Sequence, residues 1–125
     1  MKNTFEKSER ICSKKTINAL FSSSSGFYEY PFRIIYKIVE KKENSIQILI
    51  TVPKKNIKKS VTRNRIKRLI REAYRIHKHN LTNLFESKNQ TLGIVIIYTS
   101  KATESFNLIE RKIILSLQRL ENDYS

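Results

Sequence analysis

Apolar positions along the chain switch between helical spacing and strict alternation, and each switch marks an element. Ser13 is placed to cap a short helix in which Ile17, Leu20 and Phe21 share one face at i, i+3, i+4 spacing. Residues 1–12 read as an extended lead-in to it. The run Ser22-Ser23-Ser24-Ser25-Gly26 breaks the helix into a loop. Pro31 to Val39 then alternates, with Phe32, Ile34, Tyr36 and Ile38 on one side. Ser45 to Val52 alternates again, through Ile46, Ile48, Ile50 and Val52. The polar turn between them predicts an antiparallel hairpin. Pro53 ends the second strand, because it has no N–H to give to a ladder.

Lys54 to Lys59 is a basic connection into a second helix, predicted from about Val61 to His79 with Ser60 or Thr62 as its cap. Ile66, Leu69, Ile70, Ala73 and His77 form its inward stripe. Residues 80–91 read as polar and irregular, with an apolar anchor at Leu81, Leu84 and Phe85. Leu92 to Tyr98 is nearly all apolar, the mark of a strand buried on both faces. Thr103 to Ser105 offers caps for a last helix, with Phe106, Ile109, Ile113, Leu117 and Leu120 turned inward. The order α-β-β-α-β-α predicts an α+β fold, a two-layer sandwich of a small mixed β-sheet packed with about three helices. Whether the third strand pairs in parallel with an earlier one is left open by the pattern. The length suits one domain over 1–125 with one modest core.

Charge changes the picture from fold to partner. Lys and Arg number 25 against 11 Asp and Glu, a formal net charge of +14. So large an excess repels itself, and a polyanion relieves it. Nucleic acid is the first candidate, because phosphate contacts release condensed counterions; an anionic membrane surface is the rival. The longest apolar run, Ile94 to Tyr98, is far short of the ~20 residues of a membrane helix. The N-terminus is charged and has no apolar run after it, so no secretory signal is read there. Cys12 is the single cysteine, which leaves no intramolecular disulfide and fits a reducing cytoplasm. No clustered metal-ligand spacing is present, and no metal site is predicted. His77 and His79 read as solvated or RNA-facing.

The charge is concentrated on the second helix. At 100° per residue, Asn64, Lys67, Arg68, Arg71, Arg75 and Lys78 fall within an arc of roughly 100°. Arg63 and Arg65 flank the apolar stripe, and Glu72 is the one acid nearby. Guanidinium forks bind phosphate bidentately and stack on bases. Asn64 adds an amide that donates and accepts, suited to a base edge or a sugar hydroxyl. A solvated basic face is the ordinary meaning of a charge run, but its density and one-sidedness favour RNA.

The string Val52-Pro53-Lys54-Lys55, followed by Val61-Thr62-Arg63-Asn64-Arg65-Ile66-Lys67-Arg68 and then Arg71-Glu72-Ala73-Tyr74, resembles the signature of the bacterial ribonuclease P protein subunit family. Arg10-Ile11 with Ile17, Leu20 and Phe21 is similar to that family's first helix. Length, charge and the strand-helix tail agree, so the resemblance covers nearly the whole chain. It implies a subunit that joins a large catalytic RNA and assists Mg2+-dependent removal of the 5′ leader from precursor tRNA. The metal ions would be held mainly by the RNA. On this resemblance Arg63, Asn64, Arg65, Lys67, Arg68 and Arg71, with Arg75 beside them, dock on the catalytic RNA, and Lys54 and Lys55 contact phosphate. A cleft between the sheet and the first helix would hold the single-stranded leader. Phe21, Phe32 and Tyr36 are its stacking candidates, with Ile17 standing where the family often has a phenylalanine. Ile48-Leu49 replaces a usual Val-Gly, and Pro53 a common serine.

No catalytic residues are predicted in the protein itself: its acids are scattered, and no nucleophile-base arrangement is evident. Two other readings remain, a structural RNA-binding protein such as a ribosome-associated one, and a DNA-binding helix. The second is the weaker, because few short side chains allow close approach to a major groove and no dimerisation heptad accompanies them.

Overall fold

The computed structural model describes residues 18, 20–22 and 25–125. The extended lead-in over 1–12, the cap at Ser13 and the leader candidate Ile17 lie outside them. Asn18 and residues 20–22 are helical, in the region where the pattern predicts the first helix. Beyond them run β1 (Ser25–Glu29), β2 (Phe32–Val39), β3 (Ile46–Thr51), α1 (Ser60–His77), α2 (His79–Lys88), β4 (Thr91–Tyr98) and α3 (Phe106–Tyr124).

The four strands form one mixed sheet in the order β1-β2-β4-β3. The predicted β2–β3 hairpin does not form. β4 lies between the two strands, antiparallel to β2 through Ile34↔Ile96 and parallel to β3 through Ile48↔Ile94. The reason is burial. β4 is apolar on both faces, and only a central position satisfies both. The β2–β3 turn is fastened to the start of β4 instead: Leu92 N donates to Ser45 O at 2.8 Å, while Thr91 Oγ1 accepts from Lys42 N at 2.9 Å and donates to Asn44 O at 3.0 Å.

Two elements were not expected. β1 occupies part of the predicted serine loop and pairs antiparallel with β2, Phe27 opposite Ile34. Its five residues carry only one inward apolar side chain, Phe27, too few for alternation to reveal. α2 replaces the irregular stretch. Leu81 and Phe85 are buried at i, i+4 spacing, and Asn89 ends the helix in the left-handed region (φ 55°). The N–H of Asn89 and the N–H of Gln90 satisfy the last carbonyls, those of Glu86 and Phe85, each at 3.1 Å.

α1, α2 and α3 all cover one face of the sheet. There Phe27, Phe32, Ile34, Ile46, Ile48, Leu92, Ile94, Ile96 and Tyr98 meet Ile66, Ile70, Tyr74, Phe85, Ile109, Ile113 and Leu117 in the main core. α3 starts as expected, with Ser105 Oγ accepting from Leu108 N at 3.2 Å. The opposite face carries a much smaller cluster, Leu20, Ile35 and Val95, with Val39, Leu49 and Ile97 packed at its edge. Gly93 permits this second contact. A Cβ there would lie 3.0 Å from Val39 Cγ1 and 3.2 Å from Leu20 Cδ1, so the absence of a side chain lets Leu20 sit down on the strand.

Candidate nucleic-acid interface

α1 buries Ile66, Ile70, Ala73 and Tyr74 and turns its polar side outward. Tyr74 was missing from the expected stripe, although it lies four residues after Ile70. Asn64, Arg65 and Arg68 are exposed, and Lys67, Arg71 and Arg75 half-exposed. No acid occupies the first turn, and no side chain caps it. The outward arc therefore forms as the wheel predicts, with changes at its edges.

Arg63 is turned back onto its own chain. Its Nη1 donates to Ile57 O at 3.0 Å and to Lys58 O at 2.7 Å. This side chain orders the loop before the helix while remaining half-exposed. Arg75 is paired with Glu72, its Nε donating to Oε2 at 3.2 Å. The hydrogen bond lowers the Glu72 pKa and raises that of Arg75. Both groups are at the surface, where such a pair contributes little to stability. His77 is not simply solvated: its Nε2 lies 3.1 Å from Glu110 Oε2 on α3. Lys78, at the outer end of the predicted arc, is buried at the α1–α2 junction, with Nζ 5.9 Å from the Tyr74 ring centroid.

Lys54 and Lys55 are exposed in the connection from β3 to α1. That connection is ordered: Asn56 N and Ile57 N donate to Pro53 O at 3.0 and 3.2 Å, Ile57 is buried, and Asn56 Nδ2 donates to Tyr98 O at 3.1 Å.

The four leader candidates separate. Phe21 stands 54% exposed in the helical segment whose Leu20 is buried on the thinly covered sheet face. Phe32 and Tyr36 face the other way. Phe32 is 0% exposed and packs edge-on against Tyr98, with centroids 6.2 Å apart. Tyr36 packs against Phe27 and Tyr124 and donates its hydroxyl to Asp123 at 2.7 Å. Burial, then that hydrogen bond, pushes its pKa up to about 12. Both are covered by helices and give no stacking surface to a ligand on the Phe21 side. Their neighbours in register do face that side. Tyr28 pairs with Arg33, both are exposed, and Tyr28 Oη lies 3.1 Å from Thr99 Oγ1. Sequence reasoning missed both residues. The usable signal was parity: they alternate with Phe27, Phe32 and Ile34. Among the described residues, no group of three or more His, Cys, Asp or Glu side chains could hold a metal ion, and no helix is long and apolar enough to cross a membrane.

Among the described residues, a mixed sheet with one helix-covered face, one thinly covered face and a cationic helix alongside makes an α+β domain whose surface suits an anionic partner. The family profile described as Ribonuclease P matches residues 5–121. The chain is 35% identical over 115 residues to a ribonuclease P protein component of Porphyromonas gingivalis, covering 91% of this chain and 84% of that one. It is 33% identical over 122 residues to that of Chlorobium phaeobacteroides, covering 89% and 84%. Its fold is similar to the RNase P protein of Staphylococcus aureus, with TM-score 0.69 and 21% identity over 95% of this chain and 100% of that one. It is also similar to the RNase P protein of Thermotoga maritima, with TM-score 0.66 and 20% identity over 89% and 96%. The chain belongs to the ribonuclease P protein family. As a member it is the protein subunit of an endoribonuclease holoenzyme that matures tRNA 5′ ends, and its RNA partner is the ribonuclease P RNA.

Proposed function

We propose that α1 docks on the ribonuclease P RNA and that the open face beside Phe21 receives the 5′ leader of precursor tRNA. The one-sided charge of α1 carries the first half: Asn64, Arg65, Lys67, Arg68, Arg71 and Arg75 project from a helix whose other side is core. Arginine forks on a rigid helix suit successive phosphates of a folded RNA. The second half rests on exposed Phe21, on a sheet face that the three helices leave uncovered, where an unpaired base can stack. Arg63 acts one step back, by holding the loop that carries Lys54 and Lys55 toward phosphate.

Among the described residues no acidic cluster fits a Mg2+ site, since the surface proposed to face the RNA is cationic. In this reading the metal ions are held mainly by the RNA, and the protein's positive side chains screen phosphates that Mg2+ would otherwise have to screen. The working compartment is the cytoplasm, with precursor tRNA as substrate and neither DNA nor membrane as a partner. Reconstitution tests this. The purified protein, mixed with a bacterial ribonuclease P RNA at low Mg2+, is expected to accelerate leader release from precursor tRNA by at least tenfold over RNA alone. Absence of stimulation would sink the reading.

A further inference from the structure

Beside the amino end of α1 lies an open cavity of about 460 Å3, lined by Lys55, Lys58, Lys59, Lys101, Thr62 and Thr103, with Asn56 and Ile57 at its wall. A water takes about 30 Å3 in the liquid, so a phosphate group and its hydration fit easily. Four of the lining side chains are ammonium groups, and none is acidic. Among the described residues no hydrogen bond or ion pair engages those four groups.

The lysines come from segments more than forty residues apart in the chain, and each segment is held by its own polar contacts. On one side Arg63 fastens the carbonyls of Ile57 and Lys58. Asn56 Nδ2 donates to Tyr98 O at 3.1 Å and ties this loop to the end of β4. On the other side the loop after β4 folds around the Tyr98 hydroxyl, which donates to Ala102 O and accepts from Glu104 N. Ser100 Oγ is 3.0 Å from Ala102 N and 3.0 Å from Glu104 Oε2. Glu104, the acid nearest in sequence to Lys101, also accepts from Tyr30 Oη at 3.0 Å. Its carboxylate is thereby occupied by hydroxyls rather than by a lysine.

Two loops are thus ordered so that like charges meet, an arrangement whose repulsion an anion relieves. We propose that this pocket is a second RNA-binding site, which takes a backbone phosphate of the ribonuclease P RNA from a strand lying off the arginine face of α1. Thr62 and Thr103 supply hydroxyl donors beside the lysines. Arg63 is its positioning residue. The inference rests on RNA docking by α1 and adds a separate point of attachment, with Lys101 as the member that no helix-wheel reading could supply.

The test compares two charge-matched doubles. Lys58→Gln/Lys101→Gln empties the pocket of two charges. Lys41→Gln/Lys88→Gln removes two exposed charges at the opposite end of the sheet, near the start of β4. Affinity for ribonuclease P RNA is measured across a salt series, with inorganic phosphate as a separate probe followed by backbone amide shifts. The pocket double is expected to bind RNA about tenfold more weakly than the control double and to show a salt slope shallower by about one. Phosphate shifts should centre on Lys101 and Thr103 in the wild type and vanish in the pocket double. Equal RNA losses in the two doubles overturn the proposal, and so do phosphate shifts centred along α1. Phosphate binding at the pocket with RNA affinity equal to the control would assign it to free phosphate and overturn the RNA site. Should the pocket double unfold, Lys101→Gln against Lys41→Gln gives the same comparison at an exposed position. Failure of wild-type protein to stimulate the RNA would instead strike the functional reading itself.

Discussion

The two faces of the sheet are made by the same strands and have opposite fates. On β2, Phe32, Ile34 and Tyr36 point under the helices, while Arg33 and Ile35 point to the side where Leu20 and Phe21 lie. The first face is sealed by three helices. The second is covered among the described residues only by Leu20 and its neighbours, and it keeps Phe21, Tyr28 and Arg33 at the surface. Side chains alternate strictly along a strand, so one position decides whether an aromatic ring stabilises the core or remains available to a base. Aromatic character alone cannot tell Phe32 from Phe21; parity and the placement of the helices do.

The sharpest way to break this comparison is Phe32→Ala. A fully buried ring removed from a close-packed core costs roughly 3–5 kcal/mol, and urea denaturation should show a loss of that size. A variant of near wild-type stability that had lost preference for leader-bearing substrate would put Phe32 on the binding side after all.

Phe21→Ala tests the other face, with a smaller effect of another kind. The ring is 54% exposed, so stability should change by only about 0.5–1 kcal/mol. Stacking is worth about 1–3 kcal/mol per base. The reconstituted holoenzyme should therefore lose about tenfold in its preference for leader-bearing over mature tRNA. A large stability loss with unchanged preference would make Phe21 a core residue and leave the open face without its platform.

The same contrast explains what the sequence could disclose. α1 was legible because a 3.6-residue apolar period and a one-sided charge agree over eighteen residues. The sheet order was not, because alternation says which side chains turn inward and nothing about which strand lies next door. The clue to β4's central place was its two apolar faces, and the placement of β3 beside it in parallel had no local signal. α2 was hidden by Asn, Thr and Ser, which are weak helix formers; packing of Leu81 and Phe85 and the left-handed end at Asn89 override that preference. Arg63 and Arg65 look alike in the motif. They part only because two carbonyls of the preceding loop come within reach of Arg63, and loop geometry is what a helical wheel omits. The pocket at Lys101 was invisible for the same reason.

The smallest expected effect gives the finest test of parity. Tyr36→Phe keeps the ring and removes the hydroxyl that donates to Asp123. At neutral pH this should cost about 0.5–1.5 kcal/mol, toward the low end because the bond is exposed, and leader preference should not change. The informative range is alkaline. The phenol is pushed from its ordinary 10 up to about 12, by burial first and by Asp123 next. Between those values the folded protein keeps a proton that the unfolded chain has lost. Its contribution to stability is thus full below pH 10 and is lost as pH rises toward 12. Removing the phenol should flatten that fall in denaturation curves taken at successive pH values. Tyr98 and Tyr124 are also raised by burial, so the difference between wild type and variant, not the wild-type slope, isolates Tyr36. An unchanged slope, together with weakened binding of leader-bearing tRNA, would mean that the ring spends its time on the open face and that the division between the two faces is not the one drawn by the strands.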